Sequence, residues 1–169
     1  MGPDIVAKNS ILDADAARRR IRRMAYEVAE QNTGETGIVI LGIEGNGEVV
    51  AGQLRQELSS IFTVPVSTGI VRINKKAPLD ARIDGATGID GKVILVVDDV
   101  SNTGKTLLYA LKPLLSFQPK KIQTLVLVER SHKLFAVQPD FVGLSVSTTL
   151  QEHITVETDG TIVTGAFLH

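Results

Sequence analysis

In the stretch VILVVDDVSNTGKT, residues 93–106, two adjacent carboxylates, Asp98 and Asp99, end an apolar run and precede a loop of small polar residues. Side-by-side acids repel each other when simply buried, so they ask for a ligand or a solvated end. Carboxylates accept hydrogen bonds, and the vicinal hydroxyls of a sugar donate them. Thr103, Gly104 and Thr106 fall where a strand passes into a helix, a place where backbone N–H groups point outward and the helix dipole favours an anion. Val100, Ser101, Asn102 and Lys105 complete that loop. The combination suits a ribose 5-phosphate, with Asp98 and Asp99 on the 2′ and 3′ hydroxyls and the loop on the phosphate. The plainer alternative is a helix cap with solvated acids. A nucleotide-triphosphatase loop is excluded by spacing, because Asp99 occupies the position of that motif's first glycine.

These residues need a frame. The run Lys92–Val97 has no polar face, as expected of a buried parallel strand. Thr36–Ile43 and Ile122–Val128 read the same way, and Val64–Ile73 and Phe141–Val146 read as further strands. After Asp13, a helix N-cap, Ile21, Met24, Ala25, Val28 and Ala29 recur at helical spacing. Val50, Leu54 and Leu58 mark a second helix, and Leu107 to Leu115 a third that stops near Pro119. The segment 74–91 lacks periodicity and reads as a loop. HITVET and TIVTGAF, joined by Asp159-Gly160, predict a C-terminal β-hairpin. Strands alternating with helices predict an α/β fold, a mostly parallel sheet flanked by helices. With no internal repeat and no dividing linker, residues 1–169 read as one domain. Ligands bind such sheets beyond the carboxyl ends of the strands. Both polar turns, Glu44–Gly47 and Asp98–Thr106, fall at such ends.

Composition narrows the function classes. A chain of 169 residues with 43 % hydrophobic and 22 % charged residues suits one globular domain. A net charge of −1 sets up no global field for a polyanion. With no cysteine there is neither a disulfide nor a thiolate metal site. Trp is absent and other aromatics are scarce, which argues against a stacking platform for single strands. MGPDIVAKNS lacks the basic-then-apolar order of a signal peptide, and no apolar run approaches the roughly 20 residues of a bilayer span. A soluble cytoplasmic protein with no membrane partner is expected. No His and carboxylate cluster has metal-ligand spacing, so no protein-ligated metal is expected. Five arginines fall within Arg18–Arg23, either a solvated helix face or a contact for RNA whose strength would fall with salt.

VILVVDDVSNTGKT resembles the 5-phosphoribosyl 1-pyrophosphate (PRPP) signature of type I phosphoribosyltransferases. ILDADAARRRIRRMAYEVAEQN, VILGIEGNG and LVERSHKLFAVQPDFVGLSVSTTLQEHITV are similar, in order, to the PyrR family of pyrimidine-operon regulators and uracil phosphoribosyltransferases. Together these stretches cover most of the chain. The resemblance implies the type I phosphoribosyltransferase fold, with a small hood and the C-terminal hairpin. It implies conversion of uracil and PRPP to UMP and pyrophosphate, with Mg²⁺ bound through PRPP. It further implies leader RNA as a partner and a homo-oligomer.

By position, the resemblance implies that Asp98 and Asp99 hold the ribose and Ser101–Thr106 the 5′-phosphate. Glu44, Gly45, Asn46 and Gly47 match the pyrophosphate loop. Arg130 matches an arginine close to the substrate, backbone at Val142 and Leu144 falls where uracil is read, and Lys75 opens the flexible loop. Asp98, Asp99, Lys75 and Arg130 would serve catalysis, and Arg18, Arg19, Arg22 and Arg23 would face RNA. The chain departs from the family at Gly45-Asn46, where a Thr-Arg pair is usual, and at Leu144, where a lysine is usual. Its segment 74–91 is shorter than the usual catalytic loop. The missing arginine would have neutralised the leaving pyrophosphate; Lys75 or Lys76 is placed to replace it. Three readings remain: a uracil phosphoribosyltransferase, a nucleotide-sensing RNA regulator with little catalysis, and a phosphoribosyltransferase for another base.

Overall fold

Asp13 opens the first helix as its spacing predicts: its carboxylate accepts a hydrogen bond from Ala16 N at 2.7 Å. The computed structural model describes residues 8–169. The expectation that MGPDIVAKNS is no signal peptide falls largely on residues 1–7, which lie outside the described residues. Helix α1 (Ala14–Gln31) buries Ala17, Ile21, Met24, Ala25 and Val28, a single apolar face. Strand β2 (Ile38–Ile43) is buried at every position. Helix α2 (Asn46–Ser59) buries Val50, Leu54 and Leu58 with Gly47 and Ala51. Strands β3 (Val66–Arg72), β5 (Val93–Ser101), β6 (Lys121–Arg130) and β7 (Phe141–Val146) follow, with α3 (Lys105–Ala110) between β5 and β6.

These strands form one six-stranded sheet in the order β4-β3-β2-β5-β6-β7, where β4 is a short edge strand (Arg82–Asp84). All neighbours are parallel except β3 and β4. Alternation along the buried strands builds two cores. Ile38, Ile40, Val93, Leu95, Val97, Leu125 and Leu127 pack with α1 and α2 on one face. Val39, Leu41, Ile43, Ile94, Val96 and Val126 pack with Leu107, Ala110 and Leu114 on the other. A second, antiparallel sheet in the order β1-β9-β8 joins β1 (Asn9–Asp13) to the C-terminal hairpin of β8 (Ile154–Thr158) and β9 (Val163–Leu168). This is the hood.

Several local expectations are corrected. The segment 74–91 is not all loop: a 3₁₀ turn (Pro78–Asp80) leads into β4, and Ile70, Val71 and Arg72 pair with Asp84, Ile83 and Arg82. The third helix is α-helical only to Ala110 and continues as a 3₁₀ turn (Lys112–Ser116). Pro113 has no N–H to give to Tyr109, so the α-helical ladder cannot pass it. Strand β5 runs on through Asp98 and Asp99 to Ser101, so the acids sit in the strand rather than after it. The hairpin closes with four residues, Asp159–Ile162. Asp159 Oδ1 accepts from both Thr161 N and Ile162 N at 2.8 Å. Strand β1 carries no periodic signal of its own; it forms because β9 offers an edge.

Candidate active site

The direction of the chain reverses at β2: β3 lies on one side of it and β5, β6 and β7 on the other. A crevice opens at such a switch point, beyond the carboxyl ends of the strands. The β2–α2 turn and the end of β5 meet there. Gly47 lets them meet: a Cβ on it would stand 2.9 Å from Val97 O and 3.1 Å from Asp98 Oδ1. The first turn of α2 therefore rests directly on the end of β5 at Val97 and Asp98. Glu48 closes that turn by accepting from Gly45 N at 2.9 Å.

The resulting cleft has a volume of about 480 Å³. Its floor is Asp99 and the loop Val100–Thr106, its walls are Asn46 and Lys75, and its apolar side is Leu107 with Ile154–Val156 of the hood. Gly104 holds the loop's shape, with φ of +88° and the carbonyl of Val137 only 2.8 Å from where a Cβ would stand. Thr103 O accepts from Leu134 N at 2.9 Å and Phe135 N at 3.0 Å, tying the loop to the segment after β6. Helix α3, six residues long, adds little dipole. An anion here would be held by the amides and hydroxyls of the loop more than by the helix.

The two acids differ. Asp99 faces the cleft, and its Oδ1 accepts from Val100 N at 2.8 Å. Asp98 is fully buried behind it, with Oδ1 accepting from Asp99 N at 2.8 Å. Burial, reinforced by the charge of Asp99, pushes the Asp98 carboxyl up to about 8, against the opposing pull of Lys75. Lys75 Nζ lies 3.3 Å from Asp98 Oδ2 and 4.0 Å from Asp99 Oδ1.

Other predicted residues stand elsewhere. Glu44 turns from the cleft to Arg72, whose guanidinium lies 3.2 Å from it and 2.7 Å from Asp84. Arg130 does not line the cleft. Its Nε donates to Thr148 Oγ1 and its Nη2 to Thr149 O at 2.6 Å, which holds the segment after β7. Val142 and Leu144 lie in edge strand β7, their side chains packed on opposite cores. The carbonyls of Val142 and Gly143 accept from Arg23 Nη2 at 3.1 and 2.8 Å. Arg23 is thus partly spent on the fold, while Arg18, Arg19 and Arg22 remain exposed.

The hood wall was not foreseen, because Ile154–Val156 read only as hairpin. Nor was the second bond set of Asn46, whose Nδ2 donates to Val156 O at 2.8 Å and whose Oδ1 accepts from Thr158 Oγ1 at 3.4 Å. Among the described residues no group of three or more His, Cys, Asp or Glu could hold a metal, and no helix is long and apolar enough to cross a membrane.

A switch-point crevice with an acid pair and a glycine-hinged anion loop defines a phosphoribosyltransferase, and the phosphoribosyl transferase domain family matches residues 8–159. Within that family the chain belongs with PyrR. It is 35 % identical to the bifunctional protein PyrR of Roseiflexus sp. over 96 % of each chain. It is 37 % identical to that of Geobacter sp. over 88 % of this chain and 90 % of the relative. The hypoxanthine phosphoribosyltransferase of Trypanosoma cruzi shares the fold, with a TM-score of 0.79 over 96 % of each chain at 18 % identity.

Proposed function

We propose that the protein transfers the 5-phosphoribosyl group of PRPP to uracil, giving UMP and pyrophosphate, and that it acts in the cytoplasm with a second role in pyrimidine-operon regulation. The observation that carries the reading is Asp99 beside the Gly104-hinged loop, on the floor of a cleft closed by the hood. In this reaction the bond from ribose C1 to a pyrophosphate oxygen breaks, the bond from C1 to uracil N1 forms, and the N1 proton is released. Positive charge grows on the ribose as the bond breaks, so the task is positioning and electrostatics.

Asp99 accepts a ribose hydroxyl and Asp98, once Lys75 moves, the other. The amides and hydroxyls of Ser101–Thr106 take the 5′-phosphate. The pyrophosphate lies over Glu44–Gly47. Val100 and Ile154, which line the cleft, would offer the base apolar contact. Mg²⁺ would arrive bound to PRPP, and Asp99, the cleft-facing carboxylate, is the residue that would face it. That ion would neutralise pyrophosphate charge. Arg130 supports the site indirectly, by holding residues 148–149. Exposed Arg18, Arg19 and Arg22 support an RNA face on α1, and assembly into a homo-oligomer belongs to the same reading.

One observation favours a second reading, a nucleotide sensor with little catalysis. Asn46 spends its side chain on the hood rather than on the leaving group. Pyrophosphate release measured with PRPP, Mg²⁺ and uracil, hypoxanthine, guanine, adenine or orotate separates the readings. Release with uracil alone is expected. Release with another base alone transfers the activity to that base. No release alongside measurable UMP binding leaves the sensor.

A further inference from the structure

The carboxylates that should receive the ribose are already partnered. Lys75 Nζ sits 3.5 and 3.3 Å from the two oxygens of Asp98 and 4.0 Å from Asp99. Asp98 does not line the cleft, whereas Lys75, its side chain 47 % exposed, does. Asp98 Oδ1 is also committed to Asp99 N. Ammonium and sugar hydroxyls therefore compete for the same lone pairs, and a ribose can engage Asp98 only when Nζ leaves.

A displaced ammonium needs an anion. The turn Glu44–Gly47 lies against Asp98 through Gly47 and brings an acid but no cation of its own. Glu44 is met by Arg72, and Arg72 is divided between Glu44 and Asp84. A pyrophosphate over this turn would lack a dedicated counter-charge. Lys75 stands on an exposed segment and lines the same cleft as Asn46 of this turn. PRPP brings that anion and UMP does not.

We propose that Lys75 is a specificity residue that exchanges the acid pair for pyrophosphate, so that the site favours PRPP over UMP. In the free protein Lys75 covers Asp98. PRPP displaces it onto its own pyrophosphate, so the lysine keeps a partner. After transfer and loss of pyrophosphate, the lysine returns to Asp98 and competes with the ribose hydroxyls of UMP, which speeds product release. A ligand gains from the exchange only if it offers Lys75 a second anion. The inference rests on the phosphoribosyl reading above.

The test is calorimetric binding of Mg²⁺–PRPP and of UMP to the wild type, Lys75→Met and Lys75→Arg. Lys75→Met is expected to bind UMP more tightly and PRPP more weakly, each on the order of tenfold, the loss or gain of one charged contact. Lys75→Arg is expected to keep the wild-type order. Both ligands weakening together in Lys75→Met would make Lys75 an ordinary anion contact and overturn the exchange, as would no change in either. A wild type that binds neither ligand would overturn the phosphoribosyl reading itself, a distinct result. Lysine acylation followed by mass spectrometry tests the unaltered protein. Lys75 should label faster with UMP bound than in the free protein, and slowly again with PRPP. Equal labelling in the two complexes would overturn the proposal.

Discussion

Asp98 is fully buried and holds its proton more tightly than an ordinary carboxyl, first through burial and then through Asp99. The sign of its effect on stability follows. The folded chain binds a proton here that the unfolded chain gives up, so this contribution is complete below the ordinary carboxylate range. It is lost as pH rises towards about 8. Thermal melts from about pH 5 to about pH 9 should show the wild type losing stability, with a smaller loss in Asp98→Asn. Gly104 is the other residue whose chemistry is set by its position. Alanine there meets a left-handed backbone and Val137 O at 2.8 Å. Gly104→Ala should cost about 1–3 kcal/mol and weaken PRPP binding, read by melting and calorimetry.

At the scale of elements, the site depends on how the hood meets α2. Asn46, at the start of that helix, reaches Val156 and Thr158 of β8. It fixes the cleft wall and the Glu44–Gly47 turn to one another. Asn46→Ala should cost about 1 kcal/mol, because it removes hydrogen bonds at a partly buried site. Amide exchange should quicken in β8 and stay slow in β2, whose bonds are all inside the sheet. Arg130 acts on the same scale at the other rim. It holds Thr148 and Thr149, and so the segment that leads into β8.

At the scale of the whole molecule, the cleft is built from α2, β5 and the hood, while the exposed Arg18, Arg19 and Arg22 belong to α1. The cleft opens at the carboxyl end of the sheet, and the arginines lie along α1, whose apolar face covers β7, β9 and the first core. If α1 carries RNA, Arg19→Gln and Arg22→Gln should each reduce the slope of log affinity against log salt by about 1, with turnover unchanged. Arg23→Gln should behave differently. Its guanidinium donates to Val142 and Gly143, so its loss should lower the melting temperature as well.

What the sequence by itself determined is what short-range pattern encodes. The all-apolar strands, the capped amphipathic α1 and the acid pair leading into a glycine loop are local signals; the strands and α1 stand where their neighbours predict, and the acids fall at the same end of β5 but inside the strand. They were enough for the α/β class, the switch-point ends and most of the cleft floor. The tertiary structure alone decided which charges meet. Lys75 covers Asp98 from 23 residues away, and Asn46 reaches Val156 across 110. Arg130 is drawn to the rim rather than the cleft, and β1 pairs with β9 at the far end of the chain. Such partners are chosen by strand order and by the edges left open, and nothing in the residues flanking either partner records them.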